Sequence, residues 1–246
     1  MTGERHNGTR RSHRRATISS GMLPSKSKIL EGHGLKKSKD WKYFCVVVPG
    51  QEDLGGNLRH GDTNAITPTL WRYLIDRFAI RTLLDVGCGE GHAVEFFRRL
   101  GVIAHGFDGL ERNVRNARHP IALHDLTKSP YIYPCDMTLC VEMVEHLDKA
   151  HLPNLLTTLI NAPVVVMTHG LPGQPGHHHV NNRPSAYWIE KLGHCGYLLS
   201  EENIAFRKIA IREVPDCYFG RSGLVFLKKS ELPPARARRR QAGRAA

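Results

Sequence analysis

Apolar residues in this chain fall into short runs separated by stretches with helical spacing. The runs TLLDV (82–86), VIAHGFD (102–108), MTLCV (137–141), PVVVMTHG (163–170) and SGLVFLK (222–228) are each bounded by turn residues or helix-like segments. At that length a near-continuous apolar run predicts a strand buried on both faces. Between them, HAVEFFRRLG (92–101) places Val94, Phe97 and Leu100 on one helical face and stops at Gly101, as a helix C-terminus does. HLPNLLTTLIN (151–161) has the same helical spacing, and WRYLIDRFAI (71–80) predicts a helix leading into the first strand. RPSAYWIEKLGHCGY (183–197) carries Pro184 near its first turn and Gly193 or Gly196 near its stop. Strands alternating with helices predict one α/β domain with a mostly parallel sheet covered on both faces. Ahead of it, VPGQEDLGGNLRHGDTN (48–64) is rich in glycine and polar residues and reads as a loop placed to cap a site.

Composition changes this picture mainly at the ends. The 246 residues carry a net charge of +12, unevenly spread. Residues 1–45 hold 11 Lys and Arg against 3 Asp and Glu, and residues 228–246 hold 7 against 1, whereas residues 46–227 hold 17 against 19. The basicity therefore sits in the tails, where runs of like charge are usually solvated and disordered. The expected division is a basic tail at 1–40, a lead-in at 41–70, the globular domain at 71–229 and a second basic tail at 230–246. The N-terminus contains Arg and Ser and few acids but has no clear amphipathic stripe, so no organelle targeting is read from it. Six cysteines without a CxxC pair read as small buried hydrophobes in a reducing, cytoplasmic setting. No run of 18 apolar residues marks a membrane span.

The candidate chemistry begins at LLDVGCGEGH (83–92), a strand, a glycine turn and a helix start. Glycines there allow a ligand to approach the backbone, and a helix N-terminus offers free N–H groups. The spacing Gly87-x-Gly89-x-Gly91 is not the GxGxxG of dinucleotide sites, and no lysine follows as in a P-loop. With Asp85 two residues ahead of Gly87, this stretch resembles motif I of the class I S-adenosylmethionine-dependent methyltransferases. HGFDGL (105–110) then puts Asp108 at the end of the second strand, HDLTKSP (124–130) puts Asp125 after the third, and CDMTLCVEMVEHLD (135–148) is similar to the family's fourth-strand motif. The resemblance covers about residues 70–228 in four ordered motifs. It implies a Rossmann-like, mostly parallel seven-stranded sheet with helices on both faces and an antiparallel last strand pair. It also implies S-adenosyl-L-methionine as cofactor. Asp85, Gly87, Cys88, Gly89 and Gly91 would surround its methionine part, Asp108 and Gly109 the ribose, and Asp125 and Leu126 the adenine, with Glu142 closing the fourth strand.

Methyl transfer needs an aligned nucleophile and, for a hydroxyl, a proton acceptor titrating near neutrality, for which imidazole is suited. THGLPGQPGHHHVNN (168–182) leaves the carboxyl edge of the fifth strand, where an acceptor would lie. His177, His178 and His179 are therefore the expected catalytic group. Neighbouring side chains in an extended segment face opposite ways, so His177 and His179 are the pair able to share a metal, with His169 or His146 as a third ligand. Glu142, Glu145 and His146 are similar to the fourth-strand metal ligands of small-RNA 2′-O-methyltransferases, but the second histidine expected at close spacing is missing and His151 is the nearest. No residue is assigned to a metal. The segment from Met167 to Leu192, with YFGRSGLVFLK (218–228), also resembles a group of uncharacterised bacterial and phage methyltransferases. No Asn-Pro-Pro-Tyr type motif follows the fourth strand, which disfavours adenine or glutamine as acceptor. The near-neutral middle favours a small-molecule or glycan hydroxyl. The alternatives are RNA methylation aided by the basic tails and a cofactor-binding module without turnover.

Overall fold

The computed structural model describes residues 45–59 and 61–231. The tails expected at 1–40 and 230–246 lie outside the described residues, apart from positions 230 and 231. Among the described residues seven strands form one sheet: β1 (Thr82–Val86), β2 (Ile103–Asp108), β3 (Ala122–Leu123), β4 (Met137–Cys140), β5 (Val164–Met167), β6 (Tyr197–Leu199) and β7 (Leu224–Lys228). Their spatial order is β3-β2-β1-β4-β5-β7-β6. The first five run parallel, while β7 pairs antiparallel with both β5 and β6. This is the expected Rossmann-like sheet with its antiparallel closing pair.

Helices cover both faces: α1 (Pro68–Phe78), α2 (His92–Arg99), α3 (Glu111–Arg115), α4 (Leu152–Leu159), α5 (Ser185–His194), α6 (Asn203–Glu213) and α7 (Tyr218–Ser222). On one face Leu70, Trp71 and Leu74 of α1, Phe97 of α2 and Phe206 of α6 pack with Leu83, Leu139 and Val166 of the sheet. On the other, Leu155 and Leu159 of α4 and Trp188 and Leu192 of α5 pack with Leu84, Val86 and Val165. The central strands are apolar in nearly every position because alternate residues feed two separate cores.

Three elements differ from the sequence reading. The helix expected over 183–197 stops at His194, and Tyr197 opens β6 instead, because Gly196 turns the chain at φ +86. Helix α6 was not apparent in the pattern: Ile204 is 69% exposed and Ile211 is also exposed, so its apolar stripe is blurred. Strand β3 has only two residues, too few to produce a periodic signal. The strand order reverses between β1 and β4. At such a switch point the loops leaving the two carboxyl ends part and open a crevice.

Candidate cofactor and acceptor site

A cavity of about 580 Å³ occupies that crevice. Its floor is the turn after β1. Gly87, Gly89 and Gly91 all have left-handed backbone, with φ of +67, +55 and +73, which glycine adopts without a Cβ penalty. Gly87 also needs the space, since a Cβ there would stand 2.5 Å from Met143 Cγ. Beside the turn, Asp108 ends β2 and is 7% exposed. Its Oδ2 accepts from Gly89 N at 2.9 Å, and its Oδ1 accepts from Leu110 N and Asn113 Nδ2, both at 2.9 Å. Burial pushes its carboxyl up to about 6, and these donors limit the rise. Asp85 is pushed to about 7, first by burial and then by the charge of Asp108. Partial burial works against ionisation of Asp125, yet the Thr127 hydroxyl and amide, with Lys128, hold it below the usual carboxylate range.

The opposite wall grows from the ends of β4 and β5. Glu142 has a left-handed backbone, φ +51, rare for a side chain of its size and a form of stored strain. Thr168 at the end of β5 stabilises it: the Thr168 hydroxyl accepts from Glu142 N at 2.7 Å and donates to Glu142 Oε1 at 2.9 Å. Three residues on, Glu145 is wholly buried, and neither carboxylate oxygen meets a donor in good hydrogen-bond geometry, while the amides of Glu145 and Gly170 and the Glu142 carboxyl lie near enough to influence it. Burial, with the charge of Glu142, pushes it well above the carboxylate range, while burial alone accounts for most of the rise of Glu142 to about 7. The Glu145 carbonyl accepts from Val180 N and Asn181 N, each at 3.0 Å. That pair of bonds brings the histidine loop against the β4 loop. As a result His146 and His179 meet edge to face, with ring centroids 5.0 Å apart. The Nδ1 atoms of both are buried without a partner. Burial and the neighbouring His179 drive His146 down to about 4, and burial lowers His179. Glu145, His146 and His179 each present one ligand atom, all within 4.8 Å of one another.

The polar loop ahead of α1 contributes Asp53 to Leu58 to the lining of the cavity. Gly56 lies flat against the imidazoles: a Cβ there would stand 3.0 Å from His146 Cε1 and 3.3 Å from His177 Cδ2. The methyltransferase-domain family model matches residues 59–206, well over half of the chain. The chain belongs to the methyltransferase-domain family. S-adenosylmethionine is the cofactor of this methyltransferase. Solved structures with similar folds include a SAM-dependent methyltransferase from Archaeoglobus fulgidus, at 20% identity and TM-score 0.48, covering 68% of this chain and 93% of that one. A TehB-like methyltransferase from Corynebacterium glutamicum, at 19% identity and TM-score 0.48, covers 67% of this chain and 89% of that one. The methyltransferase domain of a bacterial Hen1, CtHen1, at 16% identity and TM-score 0.45, covers 56% of this chain and 89% of that one. No curated protein matches.

Of the residues expected around the cofactor, Asp85, Gly87, Cys88, Gly89, Asp108, Gly109, Asp125, Leu126 and Glu142 line this methyltransferase's cavity. Gly91 does not. It is the N-terminal cap of α2, and its N–H donates to Cys88 O at 2.9 Å, so it shapes the turn from behind. Of the histidine trio, His177 and His179 line the cavity and His178 does not. His178 takes a left-handed backbone, φ +47, which separates the other two along the wall. His151 belongs to a short 3-10 turn, Lys149–His151, and is not part of the cavity lining. Sequence reasoning missed Asn57 and Asn113 behind Asp108, and it did not join His179 to Glu145 and His146. Those groupings depend on loops meeting in space and leave no local pattern.

Proposed function

We propose that this methyltransferase methylates a hydroxyl group of a small-molecule or glycan acceptor, aided by a divalent cation held by Glu145, His146 and His179. The observation that carries this reading is the Glu145 carboxylate, wholly buried with neither oxygen partnered, beside two imidazole nitrogens in the same condition. Leaving such groups unsatisfied costs roughly 1–3 kcal/mol each, and a buried charge is tolerated when paired or bound to metal. Carboxylate oxygen with imidazole nitrogen suits a first-row divalent ion such as Mn²⁺, Co²⁺ or Zn²⁺. A cation there supplies Lewis acidity to the acceptor hydroxyl.

The chain's own residues do the rest. Asp108 accepts hydrogen bonds from the ribose, and Asp125 lies at the adenine end. The turn from Gly87 to Gly89 lets the methionine part approach the backbone. His177, on the same wall as His179, takes the proton released by the hydroxyl. The cavity of about 580 Å³ is in the size range of sites for single small ligands, which fits a compact acceptor or the end of a sugar chain.

Calorimetric titration of the full chain with MnCl₂ tests the cation. Wild-type protein should bind about one ion, and Glu145→Gln should abolish that while its affinity for S-adenosylhomocysteine changes less than about twofold. Transfer to a panel of polyols and glycans should stop with a chelator and return with Mn²⁺. Undiminished transfer in chelator, or equal Mn²⁺ uptake by Glu145→Gln, would overturn the reading. Transfer to RNA alone would replace the acceptor class.

A further inference from the structure

The carboxylate that meets the ribose is tied to the loop that covers the site. Asn113 is 1% exposed and its amide is fully engaged. Its Nδ2 donates to Asp108 Oδ1 at 2.9 Å and to Asn57 Oδ1 at 3.0 Å, and its Oδ1 accepts from Asn57 Nδ2 at 3.2 Å. Asn57 and Asn113 thus form a reciprocal amide pair across 56 residues of chain. Asn57 also packs over the glycine turn, where a Cβ on Gly89 would stand 3.5 Å from Asn57 Cβ. Its backbone carbonyl accepts from Val46 N at 2.8 Å, and Val46 O accepts from Gly56 N at 2.8 Å, so residue 46 is tied to residues 56–57. Otherwise the segment bonds largely within itself, through Gln51 N to Val48 O and Leu54 N to Gln51 O.

The same short segment touches the other wall. Gly55 and Gly56 follow the His177 ring, and Gly56 also follows His146. One end of the three-residue stretch Gly55 to Asn57 is therefore fastened to the Asp108 carboxylate through Asn113, and the other rests on the imidazoles of His146 and His177.

We propose that Asn57 is a positioning residue: through Asn113 and Asp108 it couples cofactor binding to the seating of Gly55 and Gly56 against His146 and His177. A ribose hydroxyl donating to Asp108 fixes that carboxylate, which fixes the Asn113 amide and, through the pair, the cap. Coupling of this kind is reciprocal, so the cap strengthens cofactor binding by the same factor by which the cofactor secures the cap. The proposal rests on the cofactor assignment and is independent of any cation.

The test uses the full chain and Asn57→Ala, with S-adenosylhomocysteine as ligand. Three quantities are read: affinity by calorimetry, the rate of tryptic cleavage after Arg59 with and without ligand, and the Tm of the ligand-free protein. Wild type should be protected at Arg59 by the ligand. Asn57→Ala should bind about tenfold more weakly, lose most of that protection, and lower its ligand-free Tm by only a few degrees, the effect of leaving the buried Asn113 amide short of a partner. Unchanged affinity with unchanged protection would overturn the coupling. So would a fall in ligand-free Tm that accounts for the whole loss, because that marks Asn57 as scaffold. A loss of Mn²⁺ binding in Glu145→Gln has no bearing on these readouts, so the two proposals fail separately.

Discussion

The two walls of the cavity handle buried carboxylates in opposite ways. Asp108, on the cofactor wall, receives three hydrogen bonds from Gly89, Leu110 and Asn113. Glu145, on the opposite wall, is more deeply buried and meets no donor at its side chain in good hydrogen-bond geometry. A carboxylate has about four acceptor positions, so Asp108 is mostly satisfied by the protein and keeps one position open, enough for the ribose hydroxyl proposed above. Its neighbours restrain it in the ligand-free chain, and Asn113 is one of them. Glu145, by contrast, faces His146 and His179, which also lack partners at Nδ1. On one wall the chain itself supplies the partners of the buried carboxylate, and on the other three potential ligand atoms lie within 4.8 Å of one another.

The strongest way to break this comparison is at His177. If the acceptor wall performs the proton transfer, His177→Ala should lower methyl transfer by about 10² to 10⁴, the usual worth of a positioned general base. Binding of S-adenosylhomocysteine should be unaffected. His178→Ala, whose side chain is not part of the cavity, should keep transfer within about twofold. Single-turnover assays of both variants decide the matter: equal losses would mean that the alternation along the loop has been misassigned, and no loss in either would leave the loop as scaffold. The cofactor wall breaks at Asp108. Asp108→Ala removes charge-assisted acceptors for the ribose, each worth about 1.5–3 kcal/mol, so affinity for S-adenosylhomocysteine should fall by about a hundredfold. Calorimetry showing wild-type affinity would place the ribose elsewhere.

How far each wall could be read from the sequence follows from the same contrast. The cofactor wall lies on consecutive strand ends and a glycine turn, so Asp85, Gly87, Gly89 and Asp108 appear as ordered local motifs. Strand β5 announces itself because burial on both faces leaves VVVM without a polar position, and β1 keeps only Thr82 and Asp85. Helix α6 does not, because Ile204 and Ile211 face solvent and blur its stripe. On the acceptor wall, Glu145 and His146 are adjacent in sequence, but His179 joins them only because Val180 and Asn181 bond to the Glu145 carbonyl. Nothing in the residue pattern reveals that bond. Gly91 shows the converse: its spacing fits the motif, yet its N–H turns inward to Cys88 O.

The mildest perturbation of the contrast is pH, which acts on the cofactor wall through ionisation. In the ligand-free chain, burial raises Asp108 to about 6 from an ordinary value of 3.8, so folding disfavours its ionised form. The contribution of this group to stability is therefore fully present below pH 3.8 and lost as pH rises through about 6. Cofactor binding has the opposite sign. Ribose hydroxyls donate to the carboxylate, so the bound form is the ionised one, and below about 6 a proton must leave before binding. Affinity for S-adenosylhomocysteine should accordingly hold steady above neutrality and fall by about tenfold between pH 7.5 and pH 5. Asp108→Asn should bind more weakly throughout and lose most of this pH dependence. A calorimetric series from pH 5 to 8 that is flat for wild type, or equally steep for Asp108→Asn, would show that the buried carboxylate of β2 is not the group the cofactor meets.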